Sequence, residues 1–270
     1  MGITSFIGMI VCFAAVVIGI VILGGNVMDF LNIPSVMLVV VPTIGAWIVT
    51  YPLSVISKIP AHFKVILRKE NKPEEYIERI FELANKARID GMIALENEEV
   101  TEPTMKFGVQ MMVDGIQETE MMAFLEDTLS SMTTRHNEAI GVYEKAANYA
   151  PAFGMCATVV SLVNMLKGLD FTDASAINKL GGNMAAALIT TLYGSLLANI
   201  IFLPLAGRLK LLHKRELFNK TLICNGLMAI MHGTGPKFIR EALYEQLNNE
   251  MKKRGEKGKQ ANPKDGGGDQ

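Results

Sequence analysis

Two long apolar segments constrain this fold most, because each is long enough to cross a lipid bilayer. They cover residues 151–169 and 184–208. A helix needs about 20 apolar residues, at about 1.5 Å rise each, to span the hydrocarbon core. We therefore predict two transmembrane helices. Neither residues 151–165 nor residues 184–207 include an acidic, basic or histidine side chain.

A stripe of small and hydroxyl side chains runs along each segment. In the first, residues spaced by three and four share one helical face: Pro151, Gly154, Thr158, Ser161 and Met165. In the second, Ala187, Thr191 and Ser195 recur every four residues. Small residues let membrane helices approach closely, and hydroxyls can bond across the contact. The helices either pack on each other or on their copies, or their stripes face a partner helix or a wet cavity.

The missing ionisable residue limits the possible mechanisms. Ions that cross a membrane usually need an ionisable group within it. Since these segments offer none, a carboxylate for proton or sodium transport must come from another chain. A self-contained channel is disfavoured for the same reason.

Other function classes find little support in the composition. The three cysteines and four histidines form no metal-binding or redox spacing. No nucleophile–base pair is visible, so we predict neither an enzyme nor a cofactor. The net charge of -1 gives no support for nucleic-acid binding.

Two further spans are predicted near the start of the chain, at residues 3–23 and 34–51. A cleaved signal peptide is the alternative for the first, and the lack of a basic region before it disfavours that reading. Lysines and arginines follow the second and fourth spans, whereas the loop between the first two has none. The positive-inside rule then places both termini and the large middle segment in the cytoplasm.

The polar middle segment is patterned as helices. We predict a helix from Pro73 that Gly91 ends, a second after Pro103, and a third from near Glu118 that continues into the third span. A short amphipathic helix is predicted at residues 236–251. Strand patterns are weak throughout.

We therefore expect an all-α integral membrane protein with four transmembrane helices and a helical cytoplasmic domain. Residues 1–52 would hold the first two spans, and residues 53–148 a cytoplasmic helical domain. Residues 149–207 would hold the last two spans, and residues 208–251 a cytoplasmic helical region. The charged, glycine-rich tail at residues 252–270 is predicted to be disordered.

Candidate functional positions each allow two interpretations. Pro151 and Pro204 either start or kink helices, or form a hinge that couples the membrane to the cytoplasmic domain. Thr158, Thr190 and Thr191 either bond to their own helix carbonyls or offer oxygens to an ion, and periodicity favours Thr191 over Thr190 for the stripe. The charges of residues 87–102 form a solvated face or a binding patch.

Three motifs resemble the MotA family of flagellar stator proteins, distant relatives of ExbB and TolQ. They are A-P-A-F-G…T-V…L at residues 150–162, A-L-x-T-T-L-Y-G-x-x-x-A-N-x-x-x-x-P at 187–204, and A-R-x-x-G-x-x-x-L-E at 87–96. The order of spans and cytoplasmic segments is also similar. The third motif and the fourth span separate this chain from ExbB and TolQ, which serve outer-membrane transport and remain the alternative.

The resemblance implies a torque generator in the cytoplasmic membrane. Five copies would surround two copies of a MotB-type protein, whose single transmembrane helix carries the ion-binding aspartate. Ion flow would turn the pentamer, and the middle domain would engage the rotor protein FliG. By matching position, Thr158 and Thr191 (or Thr190) would line the ion path, Pro151 and Pro204 would couple conformations, and Arg88 and Glu96 would face the rotor. We expect protons as the coupling ion, although the hydroxyls would also suit sodium.

Overall fold

The computed structural model describes residues 2–67, 72–168 and 174–247, without the side chains of residues 2–5 and 174–179. Ten α-helices and no strand occur within these ranges. The helices are α1 (Gly2–Ile22), α2 (Ile33–Thr50), α3 (Leu53–Ile56), α4 (Ile59–Leu67), α5 (Pro73–Asp90), α6 (Pro103–Val113), α7 (Glu118–Lys167), α8 (Ala174–Leu196), α9 (Leu203–Met231) and α10 (Pro236–Glu245). The all-helical prediction is confirmed.

The chain divides into two compact units. The first comprises Met1–Lys69 and Arg135–Leu212, and the second comprises Glu70–Thr134 and His213–Gln270. The predicted boundaries at residues 52, 148 and 207 separate membrane from cytoplasm and stay predictions. The predicted disordered tail, residues 252–270, lies outside the described residues.

The first unit holds the apolar helices. α2, α7 and the segment Leu180–Met231 are long and apolar enough to cross a membrane. In α1 the described apolar stretch, Phe6–Ile22, is shorter. Three spans rather than four therefore meet the length requirement within the described chain. A cluster of buried side chains joins α4, α7 and α9, including Ile66, Val142 and Leu209.

The second unit is a helical domain with its own core. α5, α6, α7, α9 and α10 contribute its buried residues, including Ile80, Met105 and Leu227. The predicted helix starts at Pro73, Pro103 and Glu118 are confirmed. Proline at the first helical position needs no amide partner, and early acids complement the helix dipole.

Helix ends are also set by local chemistry. Gly91 ends α5 with a φ of 85°, a left-handed conformation that glycine adopts without strain. Glu102 caps α6, since its Oε2 accepts a hydrogen bond from the Met105 amide at 2.5 Å. The last helix, α10, ends at Glu245, short of the predicted residue 251, and residues 248–251 lie outside the described residues.

Glu98 anchors the segment that follows α5. Its two carboxylate oxygens accept hydrogen bonds from Lys86 Nζ and Arg79 Nη2, each at 2.7 Å. These two bonds hold the pKa of Glu98 below its ordinary value, and the bond from Lys86 contributes most to this shift. The sequence allowed Glu98 to lie on a solvated charged face or in a binding patch, and in the structure it pairs with two cations of α5.

We expect Glu98→Gln to lower the thermal unfolding midpoint of the full complex at pH 7. The pKa of Glu98 is lower in the folded protein than in the unfolded chain, so the unfolded chain binds more protons in acid. The ion pairs of Glu98 therefore stabilise the fold above the ordinary pKa of glutamate, about 4.3. This stabilisation is lost as the pH falls through the lower folded pKa, so wild type and variant should converge in acid. Glu96→Gln is the control, since Glu96 is exposed. An equal loss in both variants at pH 7, or a difference that persists in acid, would contradict this role.

Candidate functional site

Helices α7 and α8 approach each other closely at two glycines. A Cβ atom added at Gly194 would lie 2.5 Å from the carbonyl oxygen of Ala150 and 3.1 Å from the Cα of Pro151. A Cβ added at Gly154 would lie 3.1 Å from the carbonyl oxygen of Thr190. The 2.5 Å contact at Gly194 leaves no room for a side chain, and the contact at Gly154 is tight. This is the geometry expected of small residues between membrane helices.

Three threonine hydroxyls meet just beside this contact. Thr158 Oγ1 lies 2.6 Å from Thr191 Oγ1 and 3.1 Å from Thr190 Oγ1. It also lies 3.0 Å from the carbonyl oxygens of Gly154 and Ala187. Each hydroxyl donates only one hydrogen bond, so Thr158 can donate to a carbonyl while it accepts from Thr191.

The two threonines of α8 have different surroundings. Thr190 is fully buried and donates to the Ala187 carbonyl at 2.6 Å, whereas Thr191 is exposed. Ala187, Gly194 and Ala198 are buried, while Ser195 is exposed. The preference for Thr191 over Thr190 on the small-residue stripe stays a prediction, and the contact between α7 and α8 buries Thr190 while it leaves Thr191 exposed. Adjacent helical residues point about 100° apart, so periodicity alone could not choose between these two faces.

The hydroxyl cluster provides oxygens but no acid or base. Hydroxyl and carbonyl oxygens can accept hydrogen bonds or contact a cation. Among residues 2–67, 72–168 and 174–247, no group of histidine, cysteine, aspartate or glutamate side chains could hold a metal ion. A proton carried past the cluster needs a titratable group from elsewhere.

The two predicted coupling prolines have different environments. Pro151 lies inside α7, where it removes one backbone donor and faces Gly194. Pro204 is exposed and follows a π-helical turn, Leu197–Phe202, whose end is marked by a bond from the Leu203 amide to the Ala198 carbonyl. Such turns relieve the strain that an internal proline imposes, and they are frequent at functional sites.

Tyr193 was not identified from the sequence as a functional position. Its hydroxyl donates to the Phe30 carbonyl and accepts from the Asn32 amide at 3.1 Å. Asn32 in turn caps α2 through its side chain. The hydroxyl therefore ties the turn before α2 to α8, three residues from Thr190. Nothing in the local pattern distinguishes this tyrosine from an interfacial aromatic residue.

In the second unit, Arg88 and Glu96 are both exposed. Arg88 lies near the end of α5, and Glu96 lies in a 3-10 helix, Met92–Asn97. Glu102, also expected on a solvated face, instead makes an ion pair with Lys220 and caps α6. The charge run therefore separates into structural acids and free surface charges.

Comparisons with known proteins cover almost the whole chain. The model of the MotA/TolQ/ExbB proton channel family matches residues 96–221, and that of the Motility protein A N-terminal region matches residues 6–91. Motility protein A of Treponema phagedenis is 38% identical over 254 residues, 92% of this chain and 95% of that protein. Chemotaxis protein PomA of Vibrio alginolyticus is 35% identical over 251 residues, 92% of this chain and 96% of that protein.

A solved structure agrees with these relatives. The flagellar MotAB stator complex from Bacillus subtilis matches with a TM-score of 0.83 at 29% identity, over 93% of this chain and 98% of that chain. The predicted family is confirmed, and the flagellar stator function is favoured over the ExbB and TolQ alternative. The family is one of membrane ion channels and motor proteins rather than enzymes. This chain belongs to the MotA/TolQ/ExbB proton channel family, within its motility protein A group.

Proposed function

We propose that this chain is a flagellar stator subunit that works with a MotB-type partner to convert proton flow across the cytoplasmic membrane into torque. The hydroxyl cluster of Thr158, Thr190 and Thr191 carries this proposal. It lies between two apolar helices that lack any ionisable residue at positions 151–165 and 184–207. An aspartate from the partner's single transmembrane helix would supply the missing group.

In this proposal the threonines line the ion path and the prolines couple it to the cytoplasmic helices. The exposed hydroxyl of Thr191 would meet the partner helix, while Thr190 and Thr158 hold it in place. Pro151 lies on the α7–α8 contact, and Pro204 follows the π-helical turn where α9 begins. A change at the hydroxyl cluster could thus be transmitted along both long helices.

The proposed membrane arrangement has four spans and cytoplasmic termini. The described apolar stretch of α1, Phe6–Ile22, falls within the range of about 17–25 residues that can span a bilayer. Lys58 and Lys64 follow the second span, and Lys210 and Lys214 follow the fourth, which supports their cytoplasmic placement. Five copies would surround a dimer of the partner within the lipid.

The second unit is proposed to engage the rotor protein FliG through Arg88 and Glu96. Both side chains are exposed, while the nearby acids Glu98 and Glu102 are held by lysine or arginine. Free charges of opposite sign can orient a partner and accelerate its association.

Co-expression with a MotB-type partner and reconstitution into lipid vesicles tests the proposal. We expect proton flux from the co-expressed complex and none from this chain alone. Replacing the intramembrane aspartate of the partner with asparagine should abolish the flux without dissociating the complex. Native mass determination should find more copies of this chain than of the partner. Proton flux through this chain alone would instead support a self-contained channel.

A further inference from the structure

Two isoleucines are exposed within the segment that carries Arg88 and Glu96. Ile89 is 79% exposed and Ile93 is 73% exposed. Single apolar residues on a surface are ordinary. Here, however, two of them lie within five positions and are flanked by two exposed charges of opposite sign.

The geometry of the segment presents these side chains outward. In a 3-10 helix, residues three apart lie on the same side. Leu95 is fully buried and Met92 packs against the same core, so these two face inward. Ile93 and Glu96, also three apart, share the outward side and are both exposed.

The segment is also held in place. Leu95 is fully buried in the core of the second unit. Shortly after it, Glu98 is bound by Lys86 and Arg79 at 2.7 Å. A surface fixed in this way loses little conformational entropy on binding.

The charges of this surface differ from those around it. Glu98, Glu102 and Glu78 each pair with a cation of the same unit. Arg88 and Glu96 are exposed and make no ion pair with another described residue. The segment therefore offers one unpaired cation, Arg88, and two unpaired acids, Asp90 and Glu96, to another molecule, with Ile89 and Ile93 exposed among them.

We propose that Ile89 and Ile93 form the apolar half of the surface that binds the rotor protein, which rests on the rotor contact proposed above. The partner surface it fits carries an acidic group opposite Arg88, a basic group opposite Glu96 and an apolar patch between them. A few well-packed residues near the centre of an interface usually contribute most of its binding energy, while exposed rim charges mainly set orientation and association rate.

This arrangement predicts how salt affects the contact. The Debye length falls from about 10 Å at 0.1 M salt to about 3 Å at 1 M, so exposed charge pairs are screened. The isoleucine contacts are not screened. Binding should therefore weaken at high salt but persist, and what persists should depend on Ile89 and Ile93.

The test measures binding of purified FliG to the full stator complex in lipid nanodiscs, at about 0.1 M and about 1 M salt. We expect the double variant Ile89→Ser/Ile93→Ser to bind roughly tenfold more weakly at both salt concentrations. Arg88→Glu should weaken binding chiefly at low salt. Met122→Ser, which alters another half-exposed apolar side chain in α7, should bind as wild type does.

The possible outcomes distinguish this proposal from the rotor contact on which it rests. If the double isoleucine variant binds FliG as tightly as the wild type does, the apolar contact is ruled out. The rotor contact through Arg88 and Glu96 is then unaffected. A changed number of subunits in that variant, measured by mass photometry, would overturn it by assigning the surface to contacts between copies. Absence of FliG binding by the wild-type complex at either salt concentration would overturn both the rotor contact and this proposal.

Discussion

Replacing Gly194 with alanine should abolish motility while leaving the protein in the membrane. The added Cβ would lie 2.5 Å from the Ala150 carbonyl oxygen and 3.1 Å from the Pro151 Cα. Both are backbone atoms that cannot rotate aside, so α7 and α8 would have to separate. Overpacking of this kind typically costs about 1–3 kcal/mol. The separation would also break the contact between Thr158 and Thr191, whose hydroxyls are 2.6 Å apart.

Swimming-halo diameter in a strain that depends on this chain measures the effect, with immunoblots of the membrane fraction for protein level. Gly182→Ala is the matched control, because a Cβ added there in the same helix meets nothing within 4 Å. Gly154→Ala should have a smaller effect, since its nearest contact is 3.1 Å away. Normal swimming of the Gly194 variant would show that the tight approach is not needed for function.

Thr158→Val should stop proton flux through the stator complex without disturbing its assembly. Valine keeps the branched shape of threonine but removes the hydroxyl at the centre of the cluster. Thr191 Oγ1 would lose its neighbour at 2.6 Å, and Thr190 would lose a neighbour at 3.1 Å. Thr190 keeps its bond to the Ala187 carbonyl at 2.6 Å, so the loss falls mainly on the orientation of the Thr191 hydroxyl. The hydroxyl positions that would face the partner's aspartate would then be disordered.

Proton flux into vesicles that hold the co-expressed complex measures this prediction. Thr158→Ser is the matched variant, because it keeps the hydroxyl and removes only a methyl group. We expect the serine variant to retain most of the flux. If valine conducts as well as serine, the hydroxyl of Thr158 serves helix packing rather than the ion path. If both variants fail, the hydroxyl and the methyl group of Thr158 are both required.

Features that depend on local sequence were predicted well. Pro73 and the acids after it start α5, and Gly91 ends it. The continuation of α7 from Glu118 into an apolar segment was also predicted from the uninterrupted helical pattern. Such features depend on residues a few positions apart, where backbone conformation and hydrogen bonding are decided locally.

Pairings between distant segments were predicted less well. Thr190 and Thr191 both lie at plausible positions on α8, and only the packing of α7 buries Thr190. Glu98 belongs to a run of charges in the sequence, and only the fold places Arg79 and Lys86 beside it. Neither result follows from spacing along the chain, because the partner residues lie 12 or more positions away.

From its sequence alone, the chain could be predicted to be helical, to have long parts that suit a membrane, and to depend on a carboxylate from another chain for any ion path. These conclusions depend on apolar length, periodicity and residue type. Tertiary structure decided that Gly194 brings α7 and α8 together, that three hydroxyls meet beside it, and that Ile89 and Ile93 stay exposed. Side-chain surroundings are set by which helix faces pack, and that choice depends on contacts made across the whole fold.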